Sequence, residues 1–318
     1  MQVVDPKGRF GYGPCGLGTT MYTINATTGE VDEVGGSPFG ASTDTRLGYV
    51  AAESTGQYVY VLKVSLSDIY PTPSTVLLDT LPVDSTNEQL VALGSQSIPL
   101  SGTLVAASAS EHGFYLLINQ NQNEPYPVAA LYAILFDPTS GQASAPQSLL
   151  GLSSNALALM LDSAGKNLVV SAGESCGSLW FFQLSASDGT VSNYQSSFLA
   201  CEEFAAPLAF DPTSTFFYAQ YSGTGVTETG IRIIEVATAT ETASSPVPAS
   251  VEAAIGGQAD PQGPFWFLAG PAPSGGIVLY GVDPGTGYPV PPAAFSNPLF
   301  PGRNLTIGPA TTDVNTHL

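Results

Sequence analysis

One short segment of the sequence matches a pattern that places the catalytic serine in many hydrolases. Residues 173–177 read Gly-Glu-Ser-Cys-Gly, which is the Gly-x-Ser-x-Gly spacing of a nucleophile elbow. A serine in that elbow lies on a tight turn from strand to helix and needs a histidine base. The chain has two histidines, and only His317 follows the segment. We therefore interpret residues 173–177 as a loop rich in glycine and serine.

Metal and cofactor chemistry have equally little support. His112 lies in a repeated turn and His317 near the end of the sequence, so the two do not form a metal-binding pair. Walker, His-Glu-x-x-His and Cys-x-x-Cys motifs are absent. A calcium site built from oxygen ligands stays open, although the sequence has no calcium-loop signature. We predict no cofactor and no metal, so any catalysis would be metal-independent.

The elements that would position functional side chains are repeated along the chain. The motif Asp5-Pro6-Lys7-Gly8 lies between an apolar segment and an aromatic one, which predicts a hairpin. Counted at the turn glycine or its replacement, copies lie at residues 8, 56, 113, 165, 214 and 263. The segment Ser163–Lys166 matches the Ser-x-x-Lys pattern of some hydrolases, but it is one of these turns. The step between copies is nearly constant at roughly 50 residues, which is typical of β-propeller blades.

A second hairpin signal follows most of the first ones, as at Thr28-Gly29, so each repeat predicts four strands. We therefore predict an all-β chain of four-stranded antiparallel blades and no helix longer than about two turns. The repeats form a single β-propeller domain over residues 1–318, with six or seven blades. The repeats begin near residues 1, 48, 103, 155, 204 and 253, with a partial repeat from 303. The second repeat lacks a clear second glycine turn and is rich in proline.

Acidic residues recur in the first turns, at Asp5, Asp162, Asp211 and Asp260. They suggest either a ring of carboxylates or side chains that close their own turns by hydrogen bonds. Asp-Pro turns commonly use the aspartate in the second way. We interpret the recurrence as turn chemistry.

Three segments of the first repeat resemble the lactonase-type β-propellers, a family that includes the 6-phosphogluconolactonases. The segments are Val4 to Tyr12, Tyr22 to Val31, and Gly35-Gly36-Ser37-Pro38-Phe39, whose ending is distinctive among bacterial members. The resemblance extends in diluted form over nearly the whole chain. It implies a seven-bladed fold whose seventh blade would begin around Asn304 to Pro309, and it implies fold more strongly than activity.

In a propeller, the loops that join blades share one face with the loops between second and third strands, and the first strands line the central channel. Counting back seven or eight residues from each turn aspartate or its equivalent gives the positions at the mouth of that channel. The polar candidates for a ligand site there are Arg46, Asn155, Glu203 and, from the partial repeat, Arg303. Ordinary solvated loop residues are the alternative interpretation.

The charge of the chain excludes several classes of partner. It has 26 acidic and 7 basic residues and a net charge of −19, which repels nucleic-acid phosphates and anionic lipids. No apolar run approaches the roughly 18 residues that span a bilayer. The segment from Met1 to Pro6 does not resemble a signal peptide, so an exported protein would be a mature or truncated form. We expect a monomer that binds an unknown small molecule or protein.

The three cysteines bear on the compartment. Cys176 is expected between the second and third strands of the fourth repeat, and Cys201 where the chain leaves it, so both lie on one face. A disulfide between them would leave Cys15 unpaired and would imply an oxidising, extracytoplasmic compartment, whether periplasmic, cell-surface or secreted. Three free thiols are the alternative.

Two functions follow from these observations. The first is a bacterial propeller, secreted or in the envelope, that acts as a binding scaffold without catalysis. The second is a lactonase for a sugar or related lactone, in which an arginine polarises the carbonyl and a carboxylate activates water. Lys7, Arg9 and Lys166 are expected at turns, and Lys63 and Arg232 in or beside strands. That leaves Arg46 and Arg303 at the mouth, so we predict no appreciable 6-phosphogluconolactonase activity and a neutral or cationic ligand.

Overall fold

The structure is a computed structural model of the chain, and it describes residues 3–290 with interruptions. The interruptions are residues 6, 16–17, 26, 40–44, 66–74, 85–88, 92–93, 101, 121–127, 153–155, 163, 173–175, 202, 212, 224–229, 247–255, 260–264, 271–275 and 283–288. All the regular elements in the described part are strands.

The strands form six consecutive antiparallel sheets, numbered here in chain order. Sheet 1 holds β1 (Val3–Val4), β2 (Phe10–Cys15), β3 (Gly18–Ile24) and β4 (Val31–Glu33). Sheet 2 holds β5 (Thr45–Ala52), β6 (Tyr58–Ser65), β7 (Thr75–Asp84), β8 (Gln89–Leu90) and β9 (Ser95–Pro99). Sheet 3 holds β10 (Thr103–Ser110), β11 (Gly113–Gln120), β12 (Val128–Leu135) and β13 (Gln147–Leu152).

The remaining three sheets follow the same order. Sheet 4 holds β14 (Ala156–Leu161), β15 (Asn167–Ala172), β16 (Cys176–Leu184) and β17 (Val191–Cys201). Sheet 5 holds β18 (Glu203–Phe210), β19 (Phe216–Gly223), β20 (Gly230–Glu235) and β21 (Thr240–Pro246). Sheet 6 holds β22 (Gly256–Ala259), β23 (Phe265–Gly270), β24 (Gly276–Val282) and β25 (Pro289–Val290).

The first hairpin of sheet 1 shows how the repeated turn forms. The Asp5 backbone nitrogen donates to the Phe10 carbonyl, and the Gly8 nitrogen donates to the Asp5 carbonyl, both at 2.8 Å. Gly8 has a φ of 68°, a left-handed conformation that glycine adopts without a steric penalty. The buried Asp5 carboxylate accepts hydrogen bonds from the backbone nitrogens of Arg9 and Phe10 at 2.5 and 2.9 Å. One side chain therefore satisfies two turn amides that the ladder leaves unpaired.

The equivalent acidic residues in other sheets do the same. Glu53, Asp162 and Asp211 are all buried, and each accepts hydrogen bonds from backbone nitrogens of its own turn. This confirms the interpretation of the recurring carboxylates as turn chemistry. Asp260 lies outside the described residues. In sheet 3 the turn is shorter, and the Ser110 hydroxyl accepts from the His112 nitrogen at 3.0 Å.

In sheets 2 and 3 the second strand carries much of the core because both of its faces are covered. On β11, alternate residues lie in two different clusters, as the two-residue period of a strand requires. Phe114, Leu116 and Ile118 pack with residues of sheet 2, whereas Tyr115 and Leu117 pack with residues of sheet 4. On β6, Val59 and Val61 pack in the same way against sheet 1. Sheets 1 to 4 are thus stacked face to face in chain order.

Burial changes from the first to the fourth strand of a sheet. In sheet 3 the residues of β10 are all half-buried, those of β11 are almost all buried, and those of β13 are mostly exposed or half-buried. The first strands of successive sheets are also neighbours, with β5 beside β1 and β10, and β10 beside β14. This is the arrangement of blades whose first strands face an axis and whose fourth strands face outward.

The chain divides into two compact units. The first comprises Met1–Glu174 and Ser178–Gln195, with sheets 1 to 3 and most of sheet 4. The second comprises Ser175–Gly177 and Ser196–Leu318, with sheets 5 and 6, whose first strands β18 and β22 are neighbours. In the second unit, the Phe210 and Phe217 rings pack edge to face with centroids 5.0 Å apart.

These observations confirm the predicted fold class, an all-β propeller with six visible repeats of antiparallel strands. Sheet 2 is the irregular repeat, since its fourth strand is split into β8 and β9, which pair with opposite ends of β7. The partial repeat from residue 303 lies outside the described residues, so the blade number and the single domain stay predictions. No helix suited to crossing a membrane occurs in the part of the chain described.

Candidate functional site

The four candidates for the channel mouth are only partly placed. Arg46 lies in β5, at an irregularity of the ladder between Thr45 and Leu47, and Glu203 is the first residue of β18 opposite Gly223. Asn155, directly before β14, and Arg303 lie outside the described residues. Convergence of the four side chains on one site therefore stays a prediction.

A bulge recurs in the first strands, and sequence reasoning missed it. The pairing shifts register between Leu104 and Ala106 in β10, and between Ala156 and Ala158 in β14. The same occurs in β5 around Arg46 and in β18 between Pro207 and Ala209. Such bulges bend a strand and redirect side chains, and they are common next to functional sites. In β5, β10 and β14 the bulge lies close to the start of the strand.

An asparagine joins two sheets at this same end. The Asn119 side chain, at the end of β11, donates from Nδ2 to the Ala156 carbonyl at 3.2 Å. Its Oδ1 accepts from the Ala156 nitrogen at 2.9 Å. Asn119 is buried, and its side-chain amide pairs with the Ala156 backbone as a neighbouring strand would. These two hydrogen bonds link sheets 3 and 4. Ala156 directly follows the predicted site residue Asn155.

A groove lies at the opposite end of the sheets, where the first turns of sheets 1 and 2 meet the end of β7. It has a volume of about 380 Å³, within the usual range for small-molecule sites. Its lining consists of Lys7, Arg9, Phe10, Gly56, Gln57, Tyr58, Pro82, Val83 and Asp84. Arg46 lies at the other end of sheet 2, about 20 Å away for six residues of strand. We call this cavity the turn groove.

The cations of the turn groove differ in how far they are engaged. Both Nε and Nη2 of Arg9 lie 3.3 Å from Oδ2 of the buried Asp5, and the guanidinium carbon lies 4.9 Å above the centre of the Phe10 ring. Lys7 is exposed, and it makes no ion pair or hydrogen bond with any residue that the structure describes. Asp84, which also lines the groove, has an interaction partner of its own. The groove thus presents one fixed and one uncommitted cation.

The other described basic residues lie where the sequence predicted them. Lys166 is in the first turn of sheet 4, and its backbone nitrogen donates to the Asp162 carboxylate at 2.7 Å. Lys63 lies in β6 and forms a buried ion pair with Asp79, which also accepts from the Ser95 hydroxyl at 2.5 Å. Arg232, in β20, pairs with a glutamate of the next strand. These three cations are therefore absent from the turn groove.

The segment that resembles a nucleophile elbow is followed by a strand. Residues 173–175 lie outside the described residues, and Cys176 is the first residue of β16. An elbow needs a helix at that point, whereas Cys176 and Gly177, predicted to lie in a loop, begin a strand. Among the residues described, no group of three or more His, Cys, Asp or Glu side chains is arranged to hold a metal ion.

The two cysteines of sheet 4 lie at strand ends instead of in loops. Cys176 begins β16 and Cys201 ends β17, and these two strands are neighbours in sheet 4. The turn between them spans residues 185–190, so both cysteines lie at the same end of the sheet. The disulfide between them stays a prediction.

A tyrosine fixes the contact between sheets 3 and 4 on the turn side. The buried Tyr115 hydroxyl donates to the Gly189 carbonyl at 2.7 Å. Burial raises the pKa of Tyr115 to about 12, and the hydrogen bond with Ser110 opposes part of this rise. A β-carbon on Gly189 would lie 2.6 Å from Cβ of His112, so only glycine permits this close approach.

Comparisons with known proteins bear on the fold alone. No family model and no curated protein matches the sequence. Among solved structures, a "putative 6-phosphogluconolactonase" from Bacteroides uniformis is 16% identical, with 87% of this chain and 91% of that one covered and a TM-score of 0.43. A puromycin-hydrolyzing peptidase of Mycobacterium tuberculosis is 14% identical with a TM-score of 0.51, over 88% of this chain and 43% of that one. The comparisons and the sequence resemblance agree on the type of fold.

Proposed function

We propose that this chain is a non-catalytic β-propeller that binds a small ligand in the turn groove and acts outside the cytoplasm as a scaffold. The observation that carries the proposal is the groove itself. It combines a volume of about 380 Å³ with the uncommitted side chains of Lys7 and Gln57. Convergent polar groups in a concave site are the usual mark of a small-molecule site.

The walls of the groove are hydrogen-bonded turns and a strand end, so the groove is a preformed site and not a chance depression in the surface. The two turns that line it are each closed by a buried carboxylate, Asp5 in sheet 1 and Glu53 in sheet 2. The third wall is the end of β7, where the Val83 nitrogen donates to the Gln57 carbonyl at 2.8 Å. A site held by hydrogen-bonded backbone loses little conformational entropy when a ligand binds.

The lining of the groove supports binding without turnover. Among the residues described, the lining contains no serine, cysteine or histidine, which are the side chains most often paired as nucleophile and base. The two cations and the Gln57 amide are groups that orient a ligand.

A lactonase is the second candidate function, and the sequence resemblance to lactonase-type propellers favours it with equal weight. In that reaction Arg46 would polarise the lactone carbonyl and a carboxylate would activate water. The two candidates therefore assign function to opposite ends of the sheets. Variants at the two ends separate them.

A thermal-shift screen with sugars, lactones and small carboxylates tests the proposal. We expect a ligand that raises Tm by on the order of 5 °C at about 100 times its Kd. The shift should disappear in Lys7→Ala, a substitution that matches Ala164 at the same position of the sheet 4 turn. Lys166→Ala is the control, because Lys166 is the counterpart of Arg9 and does not line the groove. A shift that persists in Lys7→Ala but disappears in Arg46→Ala would contradict the proposal.

A further inference from the structure

We propose that the turn groove is a site for a small organic monocarboxylate with an apolar body. This inference rests on the proposed function, because it names the chemical class of the ligand that the groove binds. It differs from the neutral or cationic ligand that the net charge of the sequence suggests. The reason is that the local charges of the groove differ from the charge of the whole chain.

The donors in the groove favour an anionic head group. Lys7 provides an ammonium without a partner among the described residues, and Gln57 provides an exposed amide. Arg9 uses Nε and Nη2 on Asp5, so its remaining N–H groups are directed away from that carboxylate. Hydrogen bonds from charged donors to a carboxylate are about twice as strong as neutral ones.

The count of charges favours a single negative charge over a doubly charged phosphate. Asp5 matches the charge of Arg9, which leaves Lys7 as the one unmatched cation in the groove as described. Asp84 is engaged by another group but still adds negative charge nearby. With Asp84 counted, the lining and Asp5 together carry two positive and two negative charges. A monocarboxylate can pair with Lys7, whereas a dianion would add twice as much uncompensated negative charge.

The net charge of −19 does not prevent this binding. At physiological ionic strength the Debye length is about 8 Å, so distant acidic side chains on the surface are largely screened. The cations in the groove are in direct contact with the ligand and are screened much less. The long-range field lowers the rate of approach, while the local pair determines the complex.

The other walls of the groove supply apolar contact. Pro82 and Val83 also line the groove, whereas the half-buried Tyr58 ring packs towards sheet 3, beside Gly141. The Phe10 ring is buried beneath Arg9 and holds the guanidinium in place. A ligand with a carboxylate at one end and a flat apolar ring at the other fits this division of the lining.

Calorimetric titration of the full chain with benzoate, benzamide and benzylammonium tests the inference. We expect benzoate to bind and benzamide, its neutral counterpart, to bind at least tenfold more weakly. Lys7→Ala should weaken benzoate binding about tenfold, which corresponds to about 1.4 kcal/mol. Lys166→Ala should leave it unchanged. Gln57→Glu, at an exposed position, should abolish benzoate binding and allow benzylammonium to bind.

The remaining outcomes separate the ligand class from the site. If benzamide or benzylammonium binds as tightly as benzoate and Gln57→Glu alters that binding, the groove is a site but the carboxylate assignment is wrong. If benzoate binds equally to the parent chain, Lys7→Ala and Gln57→Glu, then both this inference and the proposed groove are wrong. If no probe binds at all, the carboxylate inference is wrong, and the thermal-shift screen still decides the proposed function.

Discussion

Single side chains close the hairpins of this protein. The carboxylate at the start of the first turn is withdrawn from water and holds the backbone amides that follow it, in sheets 1, 2, 4 and 5. Because these bonds involve an ionised acceptor, they are stronger than ordinary turn bonds. These hydrogen bonds hold the backbone of each turn in one conformation, so two neighbouring turns can form the walls of a groove.

Ser214 occupies a position that glycine occupies in three equivalent turns. Its φ is 57°, beside 66 to 68° at Gly8, Gly56 and Gly165. A left-handed conformation costs an L-residue about 1–2 kcal/mol, and a glycine at this position avoids that cost. Part of the resulting stabilisation is lost because glycine also has more conformational freedom in the unfolded chain. We expect Ser214→Gly to raise the free energy of unfolding by about 0.5–1 kcal/mol in urea denaturation. Gly165→Ser is the matched reverse change and should lower it; a loss of stability in Ser214→Gly would contradict this account of the turn.

Four buried tyrosines make stability depend on alkaline pH. Burial raises the pKa of Tyr115 to about 12, and burial likewise raises the pKa values of Tyr12, Tyr60 and Tyr218. In the unfolded chain a tyrosine ionises near pH 10. The stabilisation is therefore complete below about pH 10 and is lost as the pH rises towards the higher pKa of the folded state.

Denaturation midpoints measured between about pH 9 and pH 12, together with the ultraviolet absorbance of phenolate, test this expectation. Exposed tyrosines should ionise first, and the buried group should ionise only with unfolding. If all 14 tyrosines ionised together near pH 10 while the fold stayed intact, the four side chains would not be buried as described.

At the scale of elements, the Asn119 side chain links sheets 3 and 4 through two hydrogen bonds to the Ala156 backbone. Asn119→Ala removes two hydrogen bonds and leaves the buried Ala156 backbone groups unpaired, so we expect a loss of about 2–3 kcal/mol of stability. Asn119→Asp keeps the acceptor for the Ala156 nitrogen but places a carboxylate oxygen against the Ala156 carbonyl, so this variant should also be less stable than the parent chain. Chemical denaturation measures both variants. If Asn119→Ala were as stable as the parent chain, water would have replaced the two hydrogen bonds to Ala156, and this account of the contact would be wrong.

The hairpins were predictable because their chemistry is local. Residues such as Asp5 and Gly8 lie within one turn, and the sequence alone indicates which amide each would satisfy. The alternating apolar residues of the second strands were equally visible. The splitting of the fourth strand of sheet 2 was not, since it depends on how β8 and β9 share β7.

The candidate site was less predictable, for a physical reason. The turn groove exists because the first turn of sheet 1 lies beside the first turn of sheet 2, which belongs to the next repeat of the chain. Sequence reasoning placed Lys7 and Arg9 correctly in a turn but had no means to bring Gln57 next to them. The available signal was that two of the few basic residues of the chain, Lys7 and Arg9, fall in a single turn.

At the scale of the whole molecule, the cysteines report on the compartment. If the proposed disulfide joins Cys176 and Cys201, it closes a long loop and adds about 3 kcal/mol of stability. Thiol titration of the unfolded, unreduced protein should then find one free thiol, that of Cys15. Three free thiols would contradict the disulfide and remove the support for an oxidising compartment.

The most direct test of the central claim, binding without catalysis, is a lactone hydrolysis assay. We predict that 6-phosphogluconolactone and its unphosphorylated analogue are hydrolysed at the spontaneous rate, with no effect of Arg46→Ala. The reason is that Lys63 and Arg232 are already paired and that Lys7, Arg9 and Lys166 lie at turns, so Arg46 and Arg303 alone remain at the predicted mouth, too few to compensate a bound phosphate. A kcat/KM above about 10⁴ M⁻¹s⁻¹, abolished by Arg46→Ala, would contradict the scaffold and establish the lactonase.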